Sequence, residues 1–142
     1  MVDELKEYAS ANEMVKALDN KINLTKNMLG QYLRRLDEIR SLAERSKKVR
    51  DLVTKLAGKK EDAASMIGEI SVGDINVVLD ATPLHELSAI EEAVKSQQDR
   101  LLMLQKAREG MKWADQFDDV DGLKFMVLES NGIPTRILLK IS

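Results

Sequence analysis

The sequence predicts an α+β fold, mainly α. A long N-terminal helix (about 3–57) and a second helix (about 83–114) make a coiled-coil hairpin, accompanied by a small C-terminal β-hairpin (about 123–141) and an extra strand (about 75–79). Three observations carry this expectation. Residues 3–57 contain no proline and only Gly30, with apolar residues recurring every three or four positions. Thr82-Pro83 opens a second periodic segment. Asn131-Gly132 separates two strand-like runs.

The first helix is marked by Val15, Leu18, Ile22, Leu29, Tyr32, Leu36, Ile39, Leu42 or Ala43, Val49, Val53 and Leu56. At ~1.5 Å per residue its 55 residues make a rod of roughly 80 Å, too long to hide in a ball of this chain length. A lone glycine costs a helix only ~1 kcal/mol, so continuity through Gly30 is expected. Gly58 suits a C-terminal cap, and a short helical turn fits 59–67. The β-branched residues that follow, interrupted at Gly73-Asp74, give the strand at 75–79. Thr82 is the expected N-cap of the second helix, with Pro83 at its first position and Glu86 in its first turn. Pro134 limits the last run to an edge or a strand start. The expected organisation is one elongated domain over 1–142. Residues 1–114 form its helical part, with a linker and strand at 58–82, and 115–142 an acidic loop and hairpin.

Charge is unevenly laid out along a chain of net −2. Residues 31–60 hold ten basic and four acidic side chains; residues 61–142 hold eight basic and fifteen acidic. The second half of the long helix is therefore basic, and Arg34, Arg35, Arg45, Lys47, Lys48 and Arg50 are the candidate contacts for a phosphate backbone. Interspersed acids, and few rings for base stacking, make a solvated or protein-facing surface the preferred reading.

Catalytic candidates are sparse. The absence of cysteine excludes thiolate catalysis, thiolate metal sites and disulfides. His85-Glu86-Leu87 resembles the start of the phospho-acceptor motif of sensor histidine kinases, which sits on a dimeric helical hairpin. The basic residue, small polar residue and proline that follow in that family are replaced by Ser88, Ala89 and Ile90, so His85 is read as a helix-start residue. Asp119, Asp121 and Gly122 resemble part of an EF-hand calcium loop. That loop's first ligand would fall on Phe117 and its last on Leu128, so 115–121 is read as an acidic helix exit. The methionines fall mostly at core spacing, although such residues also serve adaptable binding surfaces.

The expected function is accordingly a non-catalytic protein–protein assembly module with no cofactor and no metal. It self-associates as a dimer or higher homo-oligomer through Val15, Leu18, Ile22, Leu29, Tyr32, Leu36 and Ile39. Nucleic-acid binding through the basic segment 34–60 is the alternative. Long helices joined to a β-hairpin resemble prefoldin-type chaperones, but there the hairpin lies between the helices, while the clearest one here follows both; that family is not assigned. The N-terminus lacks the basic and apolar blocks of a signal peptide, and no stretch reaches the ~18 apolar residues of a membrane span. A cytoplasmic location without membrane association is expected.

Overall fold

The computed structural model describes residues 2–57, 69–78, 82–117 and 122–141. Its elements are β1 (Asp3–Tyr8), α1 (Ala11–Ala57), β2 (Glu69–Val72), β3 (Ile75–Val78), α2 (Pro83–Gly110), a 3₁₀ turn (Lys112–Gln116), β4 (Leu123–Ser130) and β5 (Ile133–Ile141). The fold is α+β and mainly α, as the sequence predicts. The chain divides into two compact units: residues 1–30 with 96–142, and residues 31–95. The expected cap at Gly58, the turn over 59–67, Leu79 and most of the acidic run (118–121) lie outside the described residues.

The first helix starts later than periodicity indicates. Residues 3–8 form an edge strand, and α1 begins after Ser10. The Ser10 hydroxyl accepts the Glu13 N–H at 3.2 Å, while the Glu13 carboxylate accepts the Ala9 N–H at 3.2 Å. This reciprocal pairing is a capping box in all but one register position. Gly30 lies inside α1, which continues without interruption.

The second helix starts as expected. The Thr82 carbonyl accepts the N–H groups of His85 and Glu86. It stops at Gly110, four residues short of expectation, and the chain tightens into the 3₁₀ turn. The linker strand at 75–79 proves to be half of a second hairpin: β2 pairs antiparallel with β3, from Glu69↔Val78 to Val72↔Ile75. Gly73, at φ +61, takes the first loop position, where a side chain would strain the turn.

In the first unit, β4 is the central strand of an antiparallel sheet ordered β1-β4-β5. The Asn131-Gly132 turn has both residues at positive φ (53 and 80), as a two-residue hairpin loop demands. Phe125, Val127 and Glu129 alternate inward on β4. Phe125 and Val127 meet Ala11, Met14, Val15, Leu18 and Ile22 of α1 and Leu104 of α2 in one apolar core, which Met111 and Ala114 extend. Phe117 packs edge-on between Trp113 and Phe125, with centroids at 5.8 and 5.7 Å. In the second unit, the buried apolar residues among those described are Leu36, Ile39 and Ala43 of α1 and Ile90 and Val94 of α2.

Candidate functional site

The seam on α1 divides after Ile39. A strict seven-residue repeat drifts ~20° per heptad around a straight helix, so residues in one sequence register leave the buried side over several turns. The register Leu18, Thr25, Tyr32, Ile39, Ser46, Val53 begins buried and ends exposed. Ala43 continues the buried side, while Leu42, Val49, Val53 and Leu56, separated by seven, four and three residues, form an apolar stripe exposed by 48, 61, 53 and 80%. In the same unit, Ile70, Val72, Ile75 and Val77 share one face of the β2–β3 hairpin, and all four are exposed. A two-stranded hairpin is marginal alone in water, and contiguous apolar patches mark interaction sites.

The residues expected to meet a second chain are placed differently. Val15, Leu18 and Ile22 lie in the core of the first unit, and Leu36 and Ile39 are buried in the second. Leu29 and Tyr32 are half-buried. Val15, Leu18, Ile22, Leu36 and Ile39 are thus largely covered within the chain's own fold.

Of the basic candidates, Arg35 meets Glu86 at 3.4 Å. No carboxylate among the described residues pairs with Arg34, Arg45, Lys47, Lys48 or Arg50. Arg34, Arg45 and Lys48 share one side of α1 by helical spacing, and Lys47 and Arg50 lie on another. His85 has a local role: its Nδ1 accepts the Thr82 N–H at 3.1 Å and lies 2.8 Å from the Thr82 hydroxyl, completing the cap of α2. Met14 and Met111 are buried, whereas Met28 and Met103 are exposed.

A buried ionic cluster holds the tip of the β4–β5 hairpin, and nothing local in the sequence points to it. Glu129, 3% exposed, receives Lys21 Nζ at 2.6 Å on each carboxylate oxygen and Lys6 Nζ at 3.1 Å. Lys21 also donates to the Gly132 carbonyl at 3.0 Å, and Arg100 to the Asn131 carbonyl at 2.9 Å. Burial lowers the Lys21 pKa, whereas the hydrogen bond to Glu129 raises that of Lys6. Burial, then the charge of Glu129, raises that of Tyr8. Both carboxylate oxygens are engaged by lysine, and the cluster clamps α1 to the hairpin.

A cleft of about 560 Å³ opens beside Ile22, Lys26, Gln105 and Arg108. Its guanidinium is held by Asp19 and Asp115, each at 2.8 Å, and the hydrogen bond to Asp115 is the first cause of its raised pKa. Among the described residues, no group of three or more acidic or histidine side chains is placed to hold a metal ion, and no helix is long and apolar enough to cross a membrane. Comparison of the chain with known protein families, with curated proteins and with solved structures returns no match.

Proposed function

We propose that the chain is a non-catalytic assembly module that self-associates, with α1 of one copy meeting α1 of another as a coiled coil. The observation that carries this reading is the stripe Leu42, Val49, Val53 and Leu56, four large apolar side chains at helical spacing and all exposed. The exposed face of the β2–β3 hairpin adds a second apolar surface in the same unit. Self-association is thus moved from the first half of the seam to its end.

Arg45, Lys48 and Arg50 lie along this part of α1, so bringing two copies together gathers like charge. Salt screens that repulsion, and association through the stripe therefore strengthens as salt rises. The test is Val49→Glu with Val53→Glu, followed by size-exclusion chromatography with light scattering. Exposed substitutions of this kind cost the fold within ~0.5 kcal/mol. The pair is expected to lower the associated mass at high salt with little change in melting; an unchanged associated mass would refute the reading.

The second reading, nucleic-acid binding, is favoured by Arg34, Arg45, Lys47, Lys48 and Arg50, which meet no carboxylate among the described residues. Fluorescence titration against duplex and single strands decides it. Binding that weakens steeply with salt supports it, and no binding at low salt removes it.

A further inference from the structure

The two edges of the β1-β4-β5 sheet carry opposite charge in matching positions, and from this we infer a head-to-tail interface in which β1 of a second copy adds to β5. Lys6 and Tyr8 lie opposite Val127 and Phe125, the inward residues of β4, so Asp3, Leu5 and Glu7 occupy the outer face. Ile137 and Leu139 likewise lie opposite Val127 and Phe125, which puts Arg136, Leu138 and Lys140 on the outer face of β5.

Antiparallel addition of β1 to β5 continues the sense of both existing pairings. One register sets Asp3 against Lys140, Leu5 against Leu138 and Glu7 against Arg136. It ends at Glu7 opposite Arg136, before the irregularity at Thr135 and before Pro134, whose missing N–H is then not required. The alternatives are disfavoured by charge. Two β1 edges bring carboxylates together on the outer face, and two β5 edges bring only cations.

The present surroundings of these residues agree. Lys140 lies directly across from Lys124, a like-charge pair, and neither Arg136 nor Lys140 has an ion pair among the described residues. Glu7 already meets Lys124 at 3.5 Å, so in the interface it lies between that cation and Arg136 of the next copy. Leu5 and Leu138 are 54 and 45% exposed and become neighbours. Each copy offers one edge of each kind, so the contact propagates into an open chain or closes into a ring. A six-residue strand buries less than a standard interface, so the association is reversible and depends on concentration.

This inference is independent of the helical stripe and has the opposite salt dependence: ionic pairing at exposed edges weakens with salt. The test is sedimentation velocity of the full chain carrying Val49→Glu and Val53→Glu, which leaves the sheet untouched. Raising salt from ~0.05 to ~0.5 M shortens the screening length several-fold and should dissociate the assembly. Two charge-reversed versions follow, Arg136→Glu with Lys140→Glu, and Asp3→Lys with Glu7→Lys. Each alone is expected to raise the dissociation constant at least about tenfold, the equivalent of ~1.4 kcal/mol. Mixing the two should restore assembly, because each reversed edge then meets an opposite one. Circular dichroism melting confirms that each version is folded. A parent that does not associate at low salt overturns the inference, as do reversed versions that associate like the parent, or folded reversed versions whose mixture stays monomeric. Should either reversed version fail to fold, the salt response of the parent still decides, and association that persists or strengthens with salt overturns the inference.

Discussion

Replacing Glu129 with alanine is expected to be among the most damaging single changes on the sheet, although Glu129 is a charged residue near a turn. The substitution removes both 2.6 Å hydrogen bonds from Lys21 and the 3.1 Å contact with Lys6, leaving Lys21 with the Gly132 carbonyl alone. Breaking a buried ion pair from one side costs ~3–5 kcal/mol, because the remaining charge stays desolvated. The Lys21 side chain is 21% exposed and regains some water, which places the expected loss at the lower end, about 3 kcal/mol. At roughly 3 °C per kcal/mol for a chain of this size, Tm falls by ~10 °C. Urea denaturation of the wild type, Glu129→Ala, Lys21→Met and the double variant Lys21→Met with Glu129→Leu forms the assay. The double variant should recover to within ~1 kcal/mol of the wild type, since a matched apolar pair leaves no stranded charge. A loss below ~1 kcal/mol for Glu129→Ala, or a double variant as unstable as the two single losses combined, refutes the clamp.

Further expectations follow from the same contacts. On the alkaline side, the lowered Lys21 pKa makes stability climb as pH rises from that value towards the ordinary lysine value. The raised values of Lys6 and Tyr8 then withdraw stability as pH passes through them. Urea midpoints against pH should therefore rise and then fall; in Glu129→Gln the fall should shrink, because Glu129 raises Lys6 and Tyr8, while the climb should widen, because Glu129 also holds the Lys21 value up against burial. A steady fall through the whole range contradicts this. Ser10→Ala removes the α1 cap and should cost ~1 kcal/mol by thermal melting. Gly132→Ala places a Cβ 2.8 Å from Arg100 Nη2 at a φ of +80, and should cost ~1–2 kcal/mol in the same measurement.

These residues also indicate what a sequence discloses. The start of α2 and the turn at Asn131-Gly132 were legible because short-range chemistry fixes them: a threonine carbonyl accepting helix N–H groups, and two residues at positive φ. The start of α1 was written just as locally, in Ser10 and Glu13, but the longer apolar periodicity obscured it. β1 was not legible. Its run of acids has little strand preference, and it exists through pairing with residues more than a hundred positions away. The hairpin at 69–78 hid because its strands have four residues each, too few to separate from a single extended stretch.

The candidate surface was half legible. Periodicity identified an apolar face on α1 without saying which part of it the chain covers with its own residues. Val15 and Val53 belong to the same seam in the sequence, yet one is buried in the core and the other is exposed. The difference arises from the drift of a seven-residue repeat around a 3.6-residue helix and from what packs alongside. The opposite charges of β1 and β5 were present in the sequence, but their alignment needs the sheet order and register.

Self-association through the α1 stripe is tested most directly by sedimentation equilibrium of the unmodified chain at high salt, where the sheet edges no longer attract. The protomer mass is 16.0 kDa. The expected result is an average mass above that value, rising with concentration and lowered by Val49→Glu with Val53→Glu. A mass of 16.0 kDa at every concentration would contradict it.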